Sequence, residues 1–375
     1  MINFWSYDIE YKENRSKFLK IFDKTYKSGQ IFFGKNLENF ENNFKKKYKS
    51  KYGLAVGSGT DALLISLMSL NIKRGDEVIT ASNTAIPTIS AIVNSGAIPI
   101  LVDIDENYLI DISKLKKSIN KKTKAIIPVH LYGKPCKMDE IIQISKKYKI
   151  HVVEDCAQAQ GAKFRGKYVG TFGTFGCFSF YPTKILGGYG DGGFILTNNY
   201  QLYKNAKSIR FYGIDTVDKK NKFFNKYYSN ISGVNSRLDE LNAKILDFKL
   251  KKIDTFIKKR RNIAKIYHKE LKDSSLTLPQ SSKSTFDVYH LYNVYHKKRD
   301  LIIKRLLREG VQTRIIYPYP IHKMKGYKKF FKKKSFPISE VRSKGIFSLP
   351  IYPNLKIKDV RIICKKLKNV LKSLK

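Results

Sequence analysis

Three segments of the chain combine residue types that could do chemistry. GSGTDALLISL, from Gly57, opens a predicted helix, and a glycine-rich helix start with Ser and Thr hydroxyls is a natural phosphate site. Asp155 ends a predicted buried strand in HVVEDCAQAQG, where a carboxylate needs a cationic partner. Lys184 lies in GTFGCFSFYPTKILGGYGDGG, among aromatic residues and glycines. These surroundings would desolvate its amine and make it available for Schiff-base formation.

Each of these segments also has a purely structural interpretation. The first is a strand-to-helix turn with a Ser or Thr cap, Asp155 could cap the next turn, and Lys184 could be an exposed loop lysine. No glycine–lysine P-loop follows Gly57, so a nucleoside-triphosphate cradle is not expected. Taken together, a phosphate cradle, a carboxylate and a desolvated lysine are what pyridoxal 5′-phosphate (PLP) requires.

The order of GSGTDAL, EDCAQAQG and SFYPTK closely resembles the DegT/StrS-type nucleotide-sugar aminotransferases, which are PLP-dependent. The resemblance implies that Lys184 is the catalytic Schiff-base lysine, that Asp155 contacts the pyridine nitrogen and that Gln158 lies near the ring hydroxyl. Lys184 also argues against the family's dehydratase branch, in which histidine replaces the lysine. The implied phosphate-binding residues are Gly59, Thr60 and Ser179.

Two later segments carry further residues that the resemblance implies. Asn235, in SGVNSRLDELNAKIL, matches an asparagine that reaches the cofactor phosphate of a neighbouring subunit, which implies a homodimer with shared active sites. Asn235 or Ser236 could also cap the long helix that follows, and both interpretations can hold. In the YPYPIHK segment, Tyr317 and His322 match the family's YPxPxH pattern and are implied as sugar contacts.

Two positions depart from the family pattern. Ala85 stands about where the family commonly has an aromatic residue that stacks on the cofactor ring. The departure leaves the stacking partner open. Ile185 stands where many relatives have asparagine, and the sequence offers no reason for this change.

The NSRLDEL segment bears on the substrate. It resembles the branch that aminates C3 of a keto-sugar, whereas C4 enzymes more often read NYRMTDIQ. The resemblance therefore implies amino transfer from an amino acid, L-glutamate by family analogy, to C3 of a dTDP-3-keto-6-deoxyhexose. The product would be a dTDP-3-amino-3,6-dideoxyhexose for surface glycans such as the O-antigen of lipopolysaccharide. The alternative is a C4 aminotransferase acting on a UDP-, GDP- or dTDP-4-keto-6-deoxyhexose.

Predicted strands and helices alternate from about Tyr48 to Thr197, and these elements must position the residues described above. The predicted strands are Glu77–Thr80, Ile98–Ile104, Lys124–Val129, Ile150–Asp155, Gly176–Phe180 and Gly193–Thr197. The predicted helices are Thr60–Leu70, Thr88–Ser95, Ser113–Ile119 and Met138–Tyr148. This alternation predicts a mostly parallel sheet with helices on both faces and a ligand site at the carboxyl ends of the strands.

The C-terminal third has a different pattern. It predicts a long basic helix over Arg237–Leu271, a strand over Val288–Val294, a helix over Lys298–Glu309 and a terminal amphipathic helix. The resemblance implies an α/β fold, the PLP-dependent transferase fold type I, with a mostly parallel, mixed seven-stranded sheet. We expect a large PLP-binding domain over residues 1–248 and a smaller α+β domain over residues 249–375.

Composition narrows the class of protein further. The 375 residues include 73 Lys+Arg against 31 Asp+Glu, a net charge of +42, which by itself would favour a nucleic-acid-binding protein. The three motifs disfavour that alternative, and 42% apolar residues exclude a disordered chain. The longest apolar stretches, such as Ala62–Leu70, fall short of the ~20 residues of a membrane span, and no signal peptide is recognisable. Four scattered cysteines predict neither a disulfide framework nor a metal site, so we expect a cytoplasmic protein.

Overall fold

The structure is a computed structural model that describes residues 1–214, 228–332 and 334–374. Its described strands are β1 (Tyr52–Val56), β2 (Glu77–Ala81), β3 (Ile98–Val102), β4 (Thr123–Ile127), β5 (His151–Asp155), β6 (Lys163–Phe164), β7 (Lys167–Tyr168), β8 (Phe175–Ser179), β9 (Gly193–Thr197), β10 (Thr285–Phe286), β11 (Tyr292–Tyr295) and β12 (Ile346–Leu349). Its described α-helices are α1 (Asp8–Lys27), α2 (Lys35–Tyr48), α3 (Gly59–Ser69), α4 (Ile86–Asn94), α5 (Ile112–Ser118), α6 (Met138–Tyr148), α7 (Tyr200–Ile209), α8 (Glu240–Leu250), α9 (Ile253–Leu271), α10 (Arg299–Arg308), α11 (Pro337–Gly345) and α12 (Ile357–Lys372).

A seven-stranded mixed sheet organises the N-terminal two thirds of the described chain. Its strand order is β1-β9-β8-β5-β4-β2-β3. β9 runs antiparallel to both β1 and β8, and every other neighbouring pair is parallel. The predicted α/β class with a mostly parallel sheet is therefore confirmed.

Both faces of this sheet are buried, as the continuous apolar runs of its strands require. On β1, Leu54 and Val56 join one core cluster, while Ala55 between them joins a second cluster on the opposite face. On β9, Ile195 belongs to the first cluster and Phe194 to the second. Successive side chains of a strand point to opposite faces, so layers of helices cover both sides of the sheet.

The predicted helix over Arg237–Leu271 is wrong in one respect, because the structure has two helices there, α8 and α9. Lys252, between them, has φ −107° and ψ 0°, which interrupts the helix while the apolar periodicity continues past it. The predicted cap at Asn235 or Ser236 is also wrong. Asp239 caps α8, and its carboxylate accepts a hydrogen bond from the Asn242 amide across 2.7 Å.

The predicted strand over Val288–Val294 is shorter in the structure, where β11 begins only at Tyr292. Before it, the Val288 amide bonds to the Gly133 carbonyl and the Leu291 amide bonds to the Tyr132 carbonyl. Tyr289, between them, has a left-handed φ of 49°. These bonds tie the segment to the loop after β4 instead of to a strand ladder.

A third core cluster gathers apolar residues from 263 to 371, around α9, α10, α12 and the antiparallel pair of β11 and β12. The expected domain boundary between residues 248 and 249 falls within α8, and the division into two domains stays a prediction. Among the helices that the structure describes, none is long and apolar enough to cross a membrane.

Candidate active site

A cavity of about 470 Å³ opens at the carboxyl ends of β5 and β8. It lies where ligands collect in sheets of this kind. The residues with a sequence-predicted role that line it are Gly59, Thr60, Asp155, Gln158, Ser179, Lys184 and Tyr317. Segments far apart in the sequence therefore converge on one site.

Asp155, the last residue of β5, is 4% exposed and lies at the base of this cavity. Its Oδ2 accepts a hydrogen bond from Thr88 Oγ1 across 2.8 Å, and its Oδ1 accepts one from the Ala157 amide across 3.1 Å. Burial raises the pKa of Asp155, while these two bonds and the charge of Lys184 act to lower it. A buried carboxylate in this position favours a cationic ligand atom in front of it.

Lys184 lies in the loop after β8, in a turn where its amide bonds to the Tyr181 carbonyl across 2.8 Å. Desolvation lowers the pKa of its amine to about 8, and the charge of Asp155 opposes this shift. Lys184 also lines a neighbouring cavity, of about 520 Å³, beside Trp5 and Arg260. Its amine is therefore largely neutral at mildly alkaline pH, as a nucleophile must be.

The start of α3 is held tightly against the end of β8. Ser58 caps the helix, accepting a hydrogen bond from the Asp61 amide across 3.0 Å. A Cβ added at Gly59 would lie 2.6 Å from the Cβ of Ser179, so only glycine fits this close approach. Ser236 Oγ accepts from the Gly57 amide and donates to Asp61, both at 2.8 Å, which fixes the turn from behind.

These residues fit PLP. The first turn of α3 with the hydroxyls of Thr60 and Ser179 offers donors for a phosphate, and all line the cavity. Asp155 offers a carboxylate for a protonated ring nitrogen, and Lys184 offers an amine for the aldehyde. Phosphate donors, carboxylate and amine thus occur together in one cavity.

Gln158 connects the cavity wall to the C-terminal part of the chain. Its Oε1 accepts from the Tyr132 amide across 2.7 Å, and its Nε2 donates to the hydroxyl of Tyr317 across 2.8 Å. The rings of Tyr132 and Tyr317 are stacked with centroids 6.2 Å apart. This network holds Tyr317 at the rim of the site.

Two residues with a sequence-predicted role lie elsewhere in this chain. Asn235 is exposed and forms a backbone bridge with Phe211. His322 is buried, and its Nε2 is hydrogen-bonded to Glu340 Oε1 across 2.9 Å. Among the residues that the structure describes, neither Asn235 nor His322 lines the cavity of its own protomer. Their roles therefore stay predictions.

The two departures from the family pattern have different surroundings. Ala85 does line the cavity, at the N-terminus of α4, so the position of the expected aromatic residue belongs to the site. Ile185 is 3% exposed and packs in the second core cluster. Burial in an apolar environment suits isoleucine at this position.

Sequence reasoning missed three residues at the site. Thr88, which donates a hydrogen bond to Asp155, was missed because it occupies an ordinary position of a predicted helix. Trp5 comes from the N-terminal segment, which carries no motif, and lines both cavities. His290 lines the cavity at 5% exposure, and burial together with the charges of Lys184 and Arg260 lowers its pKa well below the usual range. Its position in a predicted strand gave no signal.

Comparison with known proteins identifies the family. Residues 12–368 match the model of the DegT/DnrJ/EryC1/StrS aminotransferase family. The chain is 40% identical over 359 residues to the dTDP-3-amino-3,4,6-trideoxy-alpha-D-glucose transaminase of Micromonospora megalomicea, covering 94% of each chain. It is 42% identical over 339 residues to the dTDP-3-amino-3,6-dideoxy-alpha-D-galactopyranose transaminase of Aneurinibacillus thermoaerophilus, covering 90% of this chain and 91% of the relative. It is also 35% identical over 336 residues to the GDP-perosamine synthase of Escherichia coli O157:H7, covering 88% and 89%.

Solved structures agree with this assignment. DesV of S. venezuelae is 33% identical and superposes with a TM-score of 0.92 over 98% of each chain. NtdA of Bacillus subtilis, solved with bound cofactor PMP, is 30% identical with a TM-score of 0.88 over 96% of this chain and 82% of that one. The chain therefore belongs to the DegT/DnrJ/EryC1/StrS aminotransferase family, and its cofactor is pyridoxal 5′-phosphate.

Proposed function

We propose that the chain transfers an amino group from L-glutamate to C3 of a dTDP-3-keto-6-deoxyhexose, giving a dTDP-3-amino-3,6-dideoxyhexose for surface glycans. The observation that carries the aminotransferase activity is the convergence of Asp155, Lys184 and the start of α3 in one cavity. Two relatives that are dTDP-3-amino-sugar transaminases by name support amination at C3 and a dTDP-linked substrate.

In this proposal Lys184 is the catalytic residue. Its amine, kept neutral by the lowered pKa, would hold the cofactor through its aldehyde and, once released from it, would move a proton at the substrate carbon. When bound, PLP supplies an electron sink that stabilises the carbanion formed on the amino acid or the sugar. Asp155 keeps the proton on the cofactor's ring nitrogen, and Thr88 and the Ala157 amide hold its carboxylate in place.

The remaining cavity residues are assigned to binding and orientation. The amides of Gly59 and Thr60 and the hydroxyl of Ser179 bind the phosphate at the N-terminus of α3, where the helix dipole favours an anion. Gln158 would lie beside the ring hydroxyl, and its hydrogen bond to Tyr317 holds that residue where it would contact the sugar from the rim. In none of these roles would a residue have to break a hydrogen bond that it makes in the structure.

We further propose a cytoplasmic homodimer in which Asn235 reaches the cofactor phosphate of the partner subunit and His322 contacts the sugar. Asn235 is exposed, as a residue that serves another subunit must be. Apolar side chains are exposed on α1 and on the segment after it, which supports a second copy covering that surface. They are Phe22, Tyr26, Ile31 and Phe33. Light scattering should give twice the mass of the 43.3 kDa chain, and a monomer would contradict the proposal.

The substrate is tested by supplying the purified, PLP-loaded protein with L-glutamate and either a dTDP-3-keto-6-deoxyhexose or a 4-keto-6-deoxyhexose linked to dTDP, UDP or GDP. We expect a 3-amino product from the first substrate, identified by NMR of the sugar. The similarity to a GDP-perosamine synthase makes the GDP-4-keto sugar the necessary comparison. Amination of 4-keto sugars alone would reject C3 while keeping the aminotransferase activity.

A further inference from the structure

Asn235 and Ser236 are neighbours in the chain, and their side chains face opposite ways. Asn235 is exposed, whereas Ser236 is 2% exposed. The backbone is extended here, because Asn235 forms an antiparallel bridge with Phe211, and neighbouring side chains of an extended chain point to opposite sides. Leu238, two residues after Ser236, is also buried and packs in the second core cluster. Ser236 therefore points into its own chain, while Asn235 points out of it.

Ser236 connects the two ends of the turn that begins α3. Its hydroxyl accepts a hydrogen bond from the Gly57 amide and donates one to Asp61 Oδ2, and both bonds are 2.8 Å long. The residues between Gly57 and Asp61 all line the cavity at Asp155: Ser58, Gly59 and Thr60. Since amides of this turn are assigned to the cofactor's phosphate, Ser236 holds the phosphate site from behind.

The fit between Ser236 and this turn is close. A Cβ added at Gly57 would lie 3.3 Å from Ser236 Oγ and 3.0 Å from Asp61 Oδ2. The amide of Ser236 donates to the Arg210 carbonyl across 3.0 Å, and the guanidinium of Arg210 donates to the Ala55 carbonyl, on β1, across 2.8 Å. The side chain and the backbone of Ser236 are thus both anchored to the strand, turn and helix that form the phosphate site.

We propose that Ser236 is a positioning residue for both phosphate sites of the dimer. In its own subunit it holds the turn at the start of α3. Through the backbone it also holds Asn235 where that side chain reaches the phosphate in the partner subunit. The inference rests on the proposed homodimer with shared active sites. Each site then depends on two copies of Ser236, one behind its own turn and one beside the asparagine that the other subunit supplies.

The first test separates the phosphate from the rest of the cofactor. Cofactor-free Ser236→Ala is titrated with PLP and with pyridoxal, which lacks the phosphate, and binding is followed by absorption. Loss of the hydroxyl should weaken PLP binding about tenfold or more and leave pyridoxal binding nearly unchanged, whereas general damage to the fold would weaken both alike. Ser69→Ala is the matched control, because Ser69 is a buried serine at the other end of α3 that donates to the Ile65 carbonyl across 2.6 Å. It should bind both ligands as the wild type does.

Heterodimers whose chains carry different affinity tags separate the two roles. Lys184→Ala on one chain leaves a single site that can hold PLP covalently, and the amount of borohydride-fixed cofactor at each PLP concentration reports its affinity. With Ser236→Ala on the other chain, this site has an altered turn. With Ser236→Ala and Lys184→Ala on the same chain, the site keeps its turn and receives Asn235 from the altered chain. Both heterodimers should bind PLP about tenfold more weakly than the heterodimer with Lys184→Ala alone.

An unchanged PLP affinity in Ser236→Ala would overturn the proposal. A loss confined to the heterodimer with the altered turn would also overturn it, since Ser236 would then serve one site only. Ser236→Cys keeps the shape of the side chain and hydrogen-bonds weakly, so it carries the test if Ser236→Ala does not fold.

Asn235→Ala, placed on the same chain as Lys184→Ala, tests the premise separately. A loss of PLP affinity with this variant, but not with Ser236→Ala at the same place, would reject the inference and leave the proposed homodimer standing. No loss with either variant would reject both the inference and the proposed role of Asn235.

Discussion

Thr88 Oγ1 donates a hydrogen bond to Asp155 Oδ2 across 2.8 Å, and both side chains are buried. The bond joins the first turns of α4 to the end of β5. It lowers the pKa of a carboxyl group that burial raises, and so favours the charged form. Thr88 is therefore a positioning residue for the carboxylate that would face the cofactor's ring nitrogen.

Thr88→Val should weaken PLP binding about tenfold or more, because a hydrogen bond to a charged group contributes about 1.5–3 kcal/mol. The valine keeps the shape of the side chain, so the free energy of unfolding of the cofactor-free protein should change much less. Titration of the cofactor-free protein with PLP, followed by absorption, measures the affinity. Thr80→Val is the matched control, because it removes a buried 2.9 Å hydrogen bond to the Ile127 carbonyl on the same sheet without touching Asp155. Equal losses in both variants would contradict a specific role for Thr88.

The rate of PLP capture should depend on pH through Lys184. Only the neutral amine attacks the aldehyde, and burial lowers the pKa of Lys184 from 10.5 to about 8. The capture rate should therefore rise with pH and level off above a midpoint near 8, whereas an ordinary lysine would give a midpoint near 10.5. Stopped-flow absorption over this range measures it.

Asp155→Asn sharpens this test. The charge of Asp155 favours protonated Lys184 and so raises the pKa of the amine. Removing that charge should move the midpoint of capture to lower pH, while Thr80→Val should leave it in place. A midpoint that moves upward in Asp155→Asn would exclude the electrostatic coupling between the two residues.

Gly59→Ala should weaken PLP binding by at least tenfold. The added Cβ would lie 2.6 Å from the Cβ of Ser179, so either the start of α3 or the end of β8 must move, at a cost of about 1–3 kcal/mol. Both segments hold residues assigned to the phosphate. Gly326→Ala is the control, since nothing lies within 4 Å of a Cβ there. Unchanged affinity in Gly59→Ala would mean that this contact does not shape the phosphate site.

Glu154→Gln should lower the free energy of unfolding by about 1–3 kcal/mol or more. Glu154 has no role in the proposed reaction. Glu154 is fully buried, and its two oxygens accept four hydrogen bonds, from His130 and from the amides of Gly170, Phe172 and Gly173. A glutamine must turn an NH₂ group toward donors. Urea unfolding measures the loss, and Glu38→Gln, in an exposed ion pair, should be nearly neutral. A stable Glu154→Gln variant would show that these bonds contribute little.

Elements built on local patterns could be predicted closely from the sequence. The predicted helix over Met138–Tyr148 has the bounds of α6, because its apolar stripe and its acidic first turn are both local signals. The break between α8 and α9 was missed because the apolar periodicity continues past Lys252, and the late start of β11 was missed because its cause is not local. In the second case, backbone bonds to Tyr132 and Gly133, more than 150 residues earlier, override the strand pattern.

The candidate site divides in the same way. Lys184, Asp155 and Gly59 stand in motifs whose composition is unusual, so the sequence points to them directly. Thr88, His290 and Trp5 are ordinary residues in ordinary segments, and only the fold brings them to the cavity. Asn235 has a predicted role that requires a second protomer, which one chain's sequence and structure do not contain. His322 has a predicted role at the sugar, and in this chain it is hydrogen-bonded to Glu340.

The most direct measurement of the central claim is the visible absorption of the purified protein with added PLP, compared with that of Lys184→Ala. We predict a yellow band in the wild type. Borohydride should bleach this band and leave the cofactor covalently attached, so that free PLP can no longer be recovered. Lys184→Ala should show no covalent attachment, while Lys249→Ala, another buried lysine, should behave as the wild type does. Absence of borohydride-fixed cofactor in the wild type, or its presence in Lys184→Ala, would contradict the assignment of Lys184 as the catalytic residue.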